Sequence, residues 1–526
     1  MRNRLLIFAA AFCVASFGKA ILAQAPPTLD DVGIVSFANS GSAAAQPYFL
    51  RGLALLHDFE YDDAAINFRK AQEIDPGFAM AYWGEAMTYN HPLWAQQDAD
   101  AARAALNRLG TNAQSREAKA GTERERDYIR AVEVLYGNGT KEGRDFRYCD
   151  AMAALHAKYP DDVDAAAFYA LSLMGTSHNG RDIPTYMRAL AILEDLFYAN
   201  PHHPGVAHYL IHATDDPVHA PLGLHAAELY SKIAPAAAHA QHMTSHIFVA
   251  MGMWDDVVHA NEIAVNLVNQ ENANKNLPPI FCGHYSYWLE YGYLQQGRVH
   301  DALTALNNCA KSAGVTSGAG PMLSSYAVMR TRYLIDTNDW TGAVAKEKLP
   351  AGADAPARLT FDFGTGYAAV RRNDLPAAHA ALADLDVAHQ KLHANPDSYT
   401  SEVQREDILA KELAAMIDAA EGKLAQATAT VRTLATMETA MPFEFGPPFI
   451  EEPSYELLGD FLLKAGKPAD AQQAFQSALQ RTPGRTQCLT GLEQADRAAG
   501  DMDGAMKVSA QLKQIWHLAD SQHAGS

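Results

Sequence analysis

From Tyr48 to Trp516 apolar residues, many of them alanine, recur at i, i+3, i+4 and i+7 in runs separated by short turns. No stretch alternates apolar and polar residues as a half-buried strand would, so the pattern predicts an all-α protein. The clearest unit is YELLGDFLLKAGKPADAQQAFQSALQRTP, in which Leu458, Gly459 and Leu462 lead to a turn at Gly466, followed by Ala471, Phe475, Ala478 and Pro483. The frame recurs upstream as Gly52, Leu55, Ala64, Phe68, Ala71 and Pro76, and downstream with Gly500 and Ala505. Weaker copies pass through Pro201, Pro235 and Gly252, and through Gly297 and Ala302. Two segments break it: residues 92 to 127, and MPFEFGPPFIEEPSY (441 to 455), whose prolines forbid a regular helix. The second is expected either to pack Phe443, Phe445 and Phe449 onto the helices as a spacer or to close over them as a lid.

These units resemble the tetratricopeptide repeat family, in which small residues let the two helices of a hairpin approach, an aromatic fills the space between them and a proline ends the second helix. The resemblance implies a right-handed superhelical solenoid of roughly eleven to thirteen hairpins, each burying its apolar face against its neighbours. A break near Ala351-Gly352-Ala353 would divide it into an N-terminal block, 26–350, and a C-terminal block, 351–526. Members of that family generally bind peptides or partner proteins on the concave face.

The informative chemistry lies in two His-x-x-x-His motifs, His208/His212 and His242/His246, set 34 residues apart, the period of such a hairpin. Four-residue spacing puts both imidazoles of a motif on one helix face, with Cβ atoms roughly 5 to 6 Å apart. One further period back stand Met174 and His178. The family frame implies that all six side chains point into the groove, with His239, His284, Tyr287 and Tyr291 lining it nearby. His57, Trp83, Met87 and His91 would line its N-terminal end. Four neutral imidazoles suit zinc, copper or nickel, and a thioether from Met174 would favour copper. Asp215 and Asp216, just beyond His212, are candidates to orient the histidines. Coordination by ordinary histidines would release protons and weaken as pH falls through about 6.5. Neither motif contains the glutamate of HExxH, and no GxSxG elbow or phosphate loop is present. GVTSGAG (314 to 320) reads as a turn between repeats, and Glu444, Glu451 and Glu452 are acids or bases only if their loop closes over the groove.

The first residues, MRNRLLIFAAAFCVASFGKAILAQAPP, have the layout of a secretory signal, with cleavage expected after Ala25 or Ala20. Cleavage after Ala25 removes Arg2, Arg4 and Lys19 and no acid, which moves the formal charge from −19 to −22. So acidic a protein is a poor partner for nucleic acid or anionic membrane. No later stretch is long and apolar enough to span a bilayer. In an oxidising compartment Cys282 and Cys309, near the level ends of one predicted hairpin, are either a disulfide or two buried thiols. The sequence thus reads as an exported, periplasmic or secreted repeat protein that binds a ligand through a histidine-rich, transition-metal site. The alternatives are a metalloenzyme acting on a small molecule and a metal-free adaptor for a peptide or protein.

Overall fold

The computed structural model describes residues 28–315, 320–349, 352–393 and 400–520. The signal-like residues 1–25, the centre of GVTSGAG and Ala351 lie outside the described residues. Within them the chain forms twenty-four α-helices, and the strand content is a two-residue ribbon, Asn90–His91 with Gln96–Gln97. Most helices pack on the next in sequence as antiparallel hairpins, giving a helical-repeat solenoid. Helices Gly320–Thr337 and Ala355–Arg371 pack together, and one apolar cluster includes Val344, Ala357 and Phe361 on both sides of position 351. No helix among the described residues is long and apolar enough to cross a membrane.

The repeat motif works through glycine. A Cβ on Gly459 or Gly491 would lie 2.6 or 2.3 Å from the Phe475 ring, and one on Gly52 or Gly84 would lie 3.0 or 2.4 Å from Phe68. Each phenylalanine on a second helix is therefore clasped between glycines of two successive first helices, an approach that any larger side chain would prevent. Cys282 and Cys309 form a disulfide with Cα atoms 4.4 Å apart, across the hairpin of His284–Gln295 and Val299–Val315.

The superhelix does not leave an open groove, because distant repeats fold back on its middle. The extended residues 28–41 cross to the central repeats, where Ile34 donates to the His202 carbonyl and Ala236 to that of Asp31, each at about 3 Å. Helix Gln46–His57 packs on Pro204–Thr214, and just beyond it Asp58 accepts from Tyr230 at 2.8 Å while Glu60 accepts from the amide of His239 at 2.9 Å. From the other end Trp254 donates to the Gly484 carbonyl at 3.0 Å, and buried Arg485 bridges Asp336 and Glu456 at 2.8 and 2.7 Å.

Gly459→Val should lower the melting temperature by an amount corresponding to about 1 to 3 kcal/mol of overpacking. Adding Phe475→Leu, which withdraws the ring edge, should recover part of that loss in thermal unfolding followed by circular dichroism. Equal stability of Gly459→Val and wild type would contradict the clasp.

Candidate metal centre

The two histidine pairs sit on neighbouring first helices, His208 and His212 on Pro204–Thr214, and His242 and His246 on Ala238–Met251. Both helices start cleanly, the first at a proline with the His203 side chain accepting from the Val206 amide, and the second ends at Gly252 in a left-handed conformation. Four-residue spacing puts the imidazoles in ring contact, with centroids 4.9 Å apart in the first pair and 5.1 Å in the second. Across the helices His212 meets His246 at 5.4 Å, while His208 meets His239 at 5.0 Å. His284, at the start of the next first helix, lies 4.5 Å from His242. Six histidines thus form one continuous group.

Their inward nitrogens are bare because their outward ones are committed. His208 Nδ1 donates to the His57 carbonyl at 2.6 Å, and His246 Nδ1 donates to Asp215 at 2.8 Å. His242 Nδ1 donates to Asn261 Oδ1 at 2.7 Å; Asn261 Nδ2 is itself donating to the Val257 carbonyl, which fixes which end of the amide accepts. His212 Nδ1 lies 3.4 Å from Asp215, and His239 Nδ1 lies 3.3 Å from the Tyr285 hydroxyl. On the inner side Nε2 of His208, His212 and His239 has no hydrogen-bond partner, although all three residues are buried. Nε2 of His242 and His246 face each other at 3.2 Å.

Asp215 orients two histidines at once, and Asp216 instead caps the following turn through the amides of Val218 and His219 and the His219 ring. Burial pushes the Asp215 carboxyl up, but the ion pair with Arg181 and the bonds to His212 and His246 outweigh it and hold the group ionised below the usual carboxylate range. Burial, reinforced by the neighbouring imidazoles, drives His208, His239 and His242 well below the ordinary histidine value. It takes His284 down to about 3, and His246, despite Asp215, to about 4. Burial thus favours the uncharged form of these five, which is the form that coordinates a metal.

Several expected positions fall elsewhere. The four motif histidines do not face an open groove; His208 and His242 are fully buried and His246 and His212 are 1% and 2% exposed. The first hairpin and the 441–455 segment cover them, Phe445 packing 4.8 Å from His246 and Gly446 against Trp288. That segment is therefore packed onto the helices as a spacer would be, while Glu451 is tied to Arg405 and buried Glu452 lies against Tyr367. Of its other members, Glu444 and Phe449 line a cavity with His178, and Phe443 lies under Arg481. Met174 ends helix Val163–Met174, so His178 falls in the next turn, where it bonds Asp145 at 2.8 Å instead of sharing a helix face with the methionine. Trp83 lies in the core among Phe37, Tyr128 and Phe168; Met87 receives the Tyr148 hydroxyl; Tyr291 packs on Trp254. His57 pairs with Asp164 at 3.0 Å and Tyr209 at 2.9 Å, while His91 stacks on Tyr61 and Tyr287 lies 5.5 Å from His284.

No motif or spacing marks Asn261, Trp288 or Phe59, which reach the group from a second helix, a neighbouring repeat and a distant hairpin. Phe59 has φ +58, unusual for a bulky residue and a strain of about 1 to 3 kcal/mol, and its ring stands 4.3 Å from His208 and 5.6 Å from His239. Phe59, Tyr61, Trp94, Tyr285, His239 and His284 line part of a cavity of about 570 Å³ beside the histidines.

In the metal-free protein His246 is neutral when folded and titrates near 6.5 when unfolded, so falling pH protonates the unfolded chain first and removes stability. The share is about 1.4 kcal/mol per pH unit between 6.5 and about 4. Buried acids such as Glu60, raised to about 7, act in the opposite sense, so the effect must be read as a difference. His246→Asn, which keeps a donor for Asp215, should gain on wild type as pH falls through that window in denaturant unfolding. Parallel stability curves would show that His246 titrates normally in the fold.

No family model and no curated protein matches the chain. Similar solved structures include the hetero-tetramer Cut9-Hcn1 of the APC/C, at 12% identity, 87% coverage of this chain and 78% of that one, with a TM-score of 0.33. A monomeric mutant of IFIT1 with Gppp-AAAA gives 12%, 88%, 95% and 0.36, and yeast Tom70 gives 11%, 89%, 99% and 0.33. At such scores the overall course of the chains differs, and no argument rests on the likeness. The hairpins themselves, with Phe68 and Phe475 each clasped between glycines of successive first helices, give this chain a helical-repeat solenoid fold.

Proposed function

We propose that the protein is an exported repeat protein that binds a transition metal, copper or zinc, in the buried histidine group. The observation that carries this is the 3.2 Å separation of Nε2 in His242 and His246. With both Nδ1 atoms donating outward, the neutral imidazoles turn two acceptor nitrogens toward each other. Two nitrogens bound at about 2.0 to 2.1 Å to one tetrahedral ion stand about 3.3 Å apart, so a shared metal turns this repulsion into coordination. The three other inward Nε2 atoms without partners have the same explanation. Met174 makes no part of the argument for copper, since it lies at the end of a helix whose neighbouring His178 is engaged by Asp145. A peptide-docking adaptor gains less support, because the histidines are sealed from a protein-sized ligand, whereas the adjoining cavity suits a small molecule.

His212→Ala with His246→Ala should abolish stoichiometric metal in protein purified from its export compartment, and with it the metal-dependent rise in melting temperature, leaving helical content intact. A double variant that keeps full metal content would refute the site. Asn261→Leu, which removes the partner of the His242 Nδ1 proton, should weaken metal affinity by about 10- to 100-fold in competition with a chelator.

A further inference from the structure

The histidine group has more ligands than one ion can use. Six imidazoles exceed the four of a tetrahedral site, and the geometry divides them evenly. His208, His212 and His239 bring ligand nitrogens within 4.8 Å of one another, and His242, His246 and His284 do the same. The seam between the triads is the His212–His246 contact, with ring centroids 5.4 Å apart. One carboxylate spans that seam from outside: Asp215 Oδ2 lies 2.8 Å from His246 Nδ1 and 3.4 Å from His212 Nδ1, so a single rigid group orients one histidine of each triad.

We infer that the group is a paired centre holding two copper ions, one in each histidine triad, an inference that rests on the metal-binding reading above. Charge selects the metal. All six ligands are imidazoles, which coordinate as uncharged donors, and the nearest carboxylates, Asp215 and Asp216, both face the Arg181 guanidinium. Two divalent ions would put four positive charges into this dry interior with no anionic ligand, whereas two cuprous ions put in two, and imidazole is a good ligand for copper. Three protein ligands leave an ion room for an external donor, and the cavity lies where such a donor would arrive: His239 from one triad and His284 from the other line its wall. Trp94, Tyr61 and Phe59 give that cavity an aromatic surface fit for a small planar molecule.

The test is an anaerobic Cu(I) titration of the full chain against a chromogenic chelator. It is run in a His389→Ala, His393→Ala background, so that the surface group formed by those residues with Asp407 does not count. Two tight equivalents are expected, falling to one in His239→Ala and to one in His284→Ala, with circular dichroism confirming that each variant is folded. One equivalent in the parent protein, or two in both variants, would overturn the paired centre while leaving a single metal site standing. No tight copper in the parent would overturn the paired centre, and absence of zinc as well would overturn the metal-binding reading itself.

Discussion

Everything at the centre of this protein depends on the outward commitment of the imidazole Nδ1 atoms. A histidine buried alone keeps one proton and one lone pair, and can satisfy either by turning. Here the His57 carbonyl, Asn261 and Asp215 each claim an Nδ1 proton, and rotation is closed off. What remains inside is a set of lone pairs, and no protein donor among the described residues reaches those of His208, His212 and His239. Such a set is unfavourable by itself, since a buried polar atom without a partner costs about 1 to 3 kcal/mol. Burial also makes protonation costly, as the low values of His246 and His284 record. A cation other than the proton is the species that this arrangement accommodates.

The fold supplies the enclosure by folding a repeat array back on itself. Successive hairpins bring the first helices Pro204–Thr214 and Ala238–Met251 together, and that closeness puts histidines of neighbouring repeats within ring contact. A simple stack would leave them on a wet concave face. The first hairpin, the extended residues 28–41 and the segment carrying Phe445 instead cover that face, and their polar groups are matched across long sequence distances by Asp58 with Tyr230 and Glu60 with His239. Strain at Phe59 and the buried Arg181–Asp215 pair sit at the points where this closure meets the histidines. Tolerating both there is consistent with a site held in one geometry for a ligand.

The contrast with the rest of the molecule sharpens this reading. Elsewhere several buried charges have partners, as Arg485 has Asp336 and Glu456 and Arg330 and Arg144 have backbone carbonyls, while burial holds Glu290 and Glu412 toward the neutral form. In the histidine group burial holds five members toward the neutral form, and what the inner nitrogens of His208, His212 and His239 lack is a donor or a metal. The cavity beside it joins this interior to aromatic side chains from the first hairpin, the 90–97 ribbon and the repeat beginning at His284.

The helical class, the hairpin frame at Gly459 and Phe475, and the placing of His208, His212, His242 and His246 on adjacent first helices were legible in the sequence. All follow from local spacing: 3.6 residues per turn sets which side chains share a face, and a 34-residue period sets which faces adjoin. The pairing of Cys282 with Cys309 was one of two open readings, since spacing put the thiols level and only Cα geometry could join them. His178 was misplaced because a helix end, not a period, decides where a face stops. Burial of the site, the depressed histidine protonation, and the roles of Asn261, Phe59 and Trp288 were set by tertiary structure alone. They arise where segments distant in sequence fold over the central repeats, and no periodicity along the chain encodes which distant surface will cover a given face.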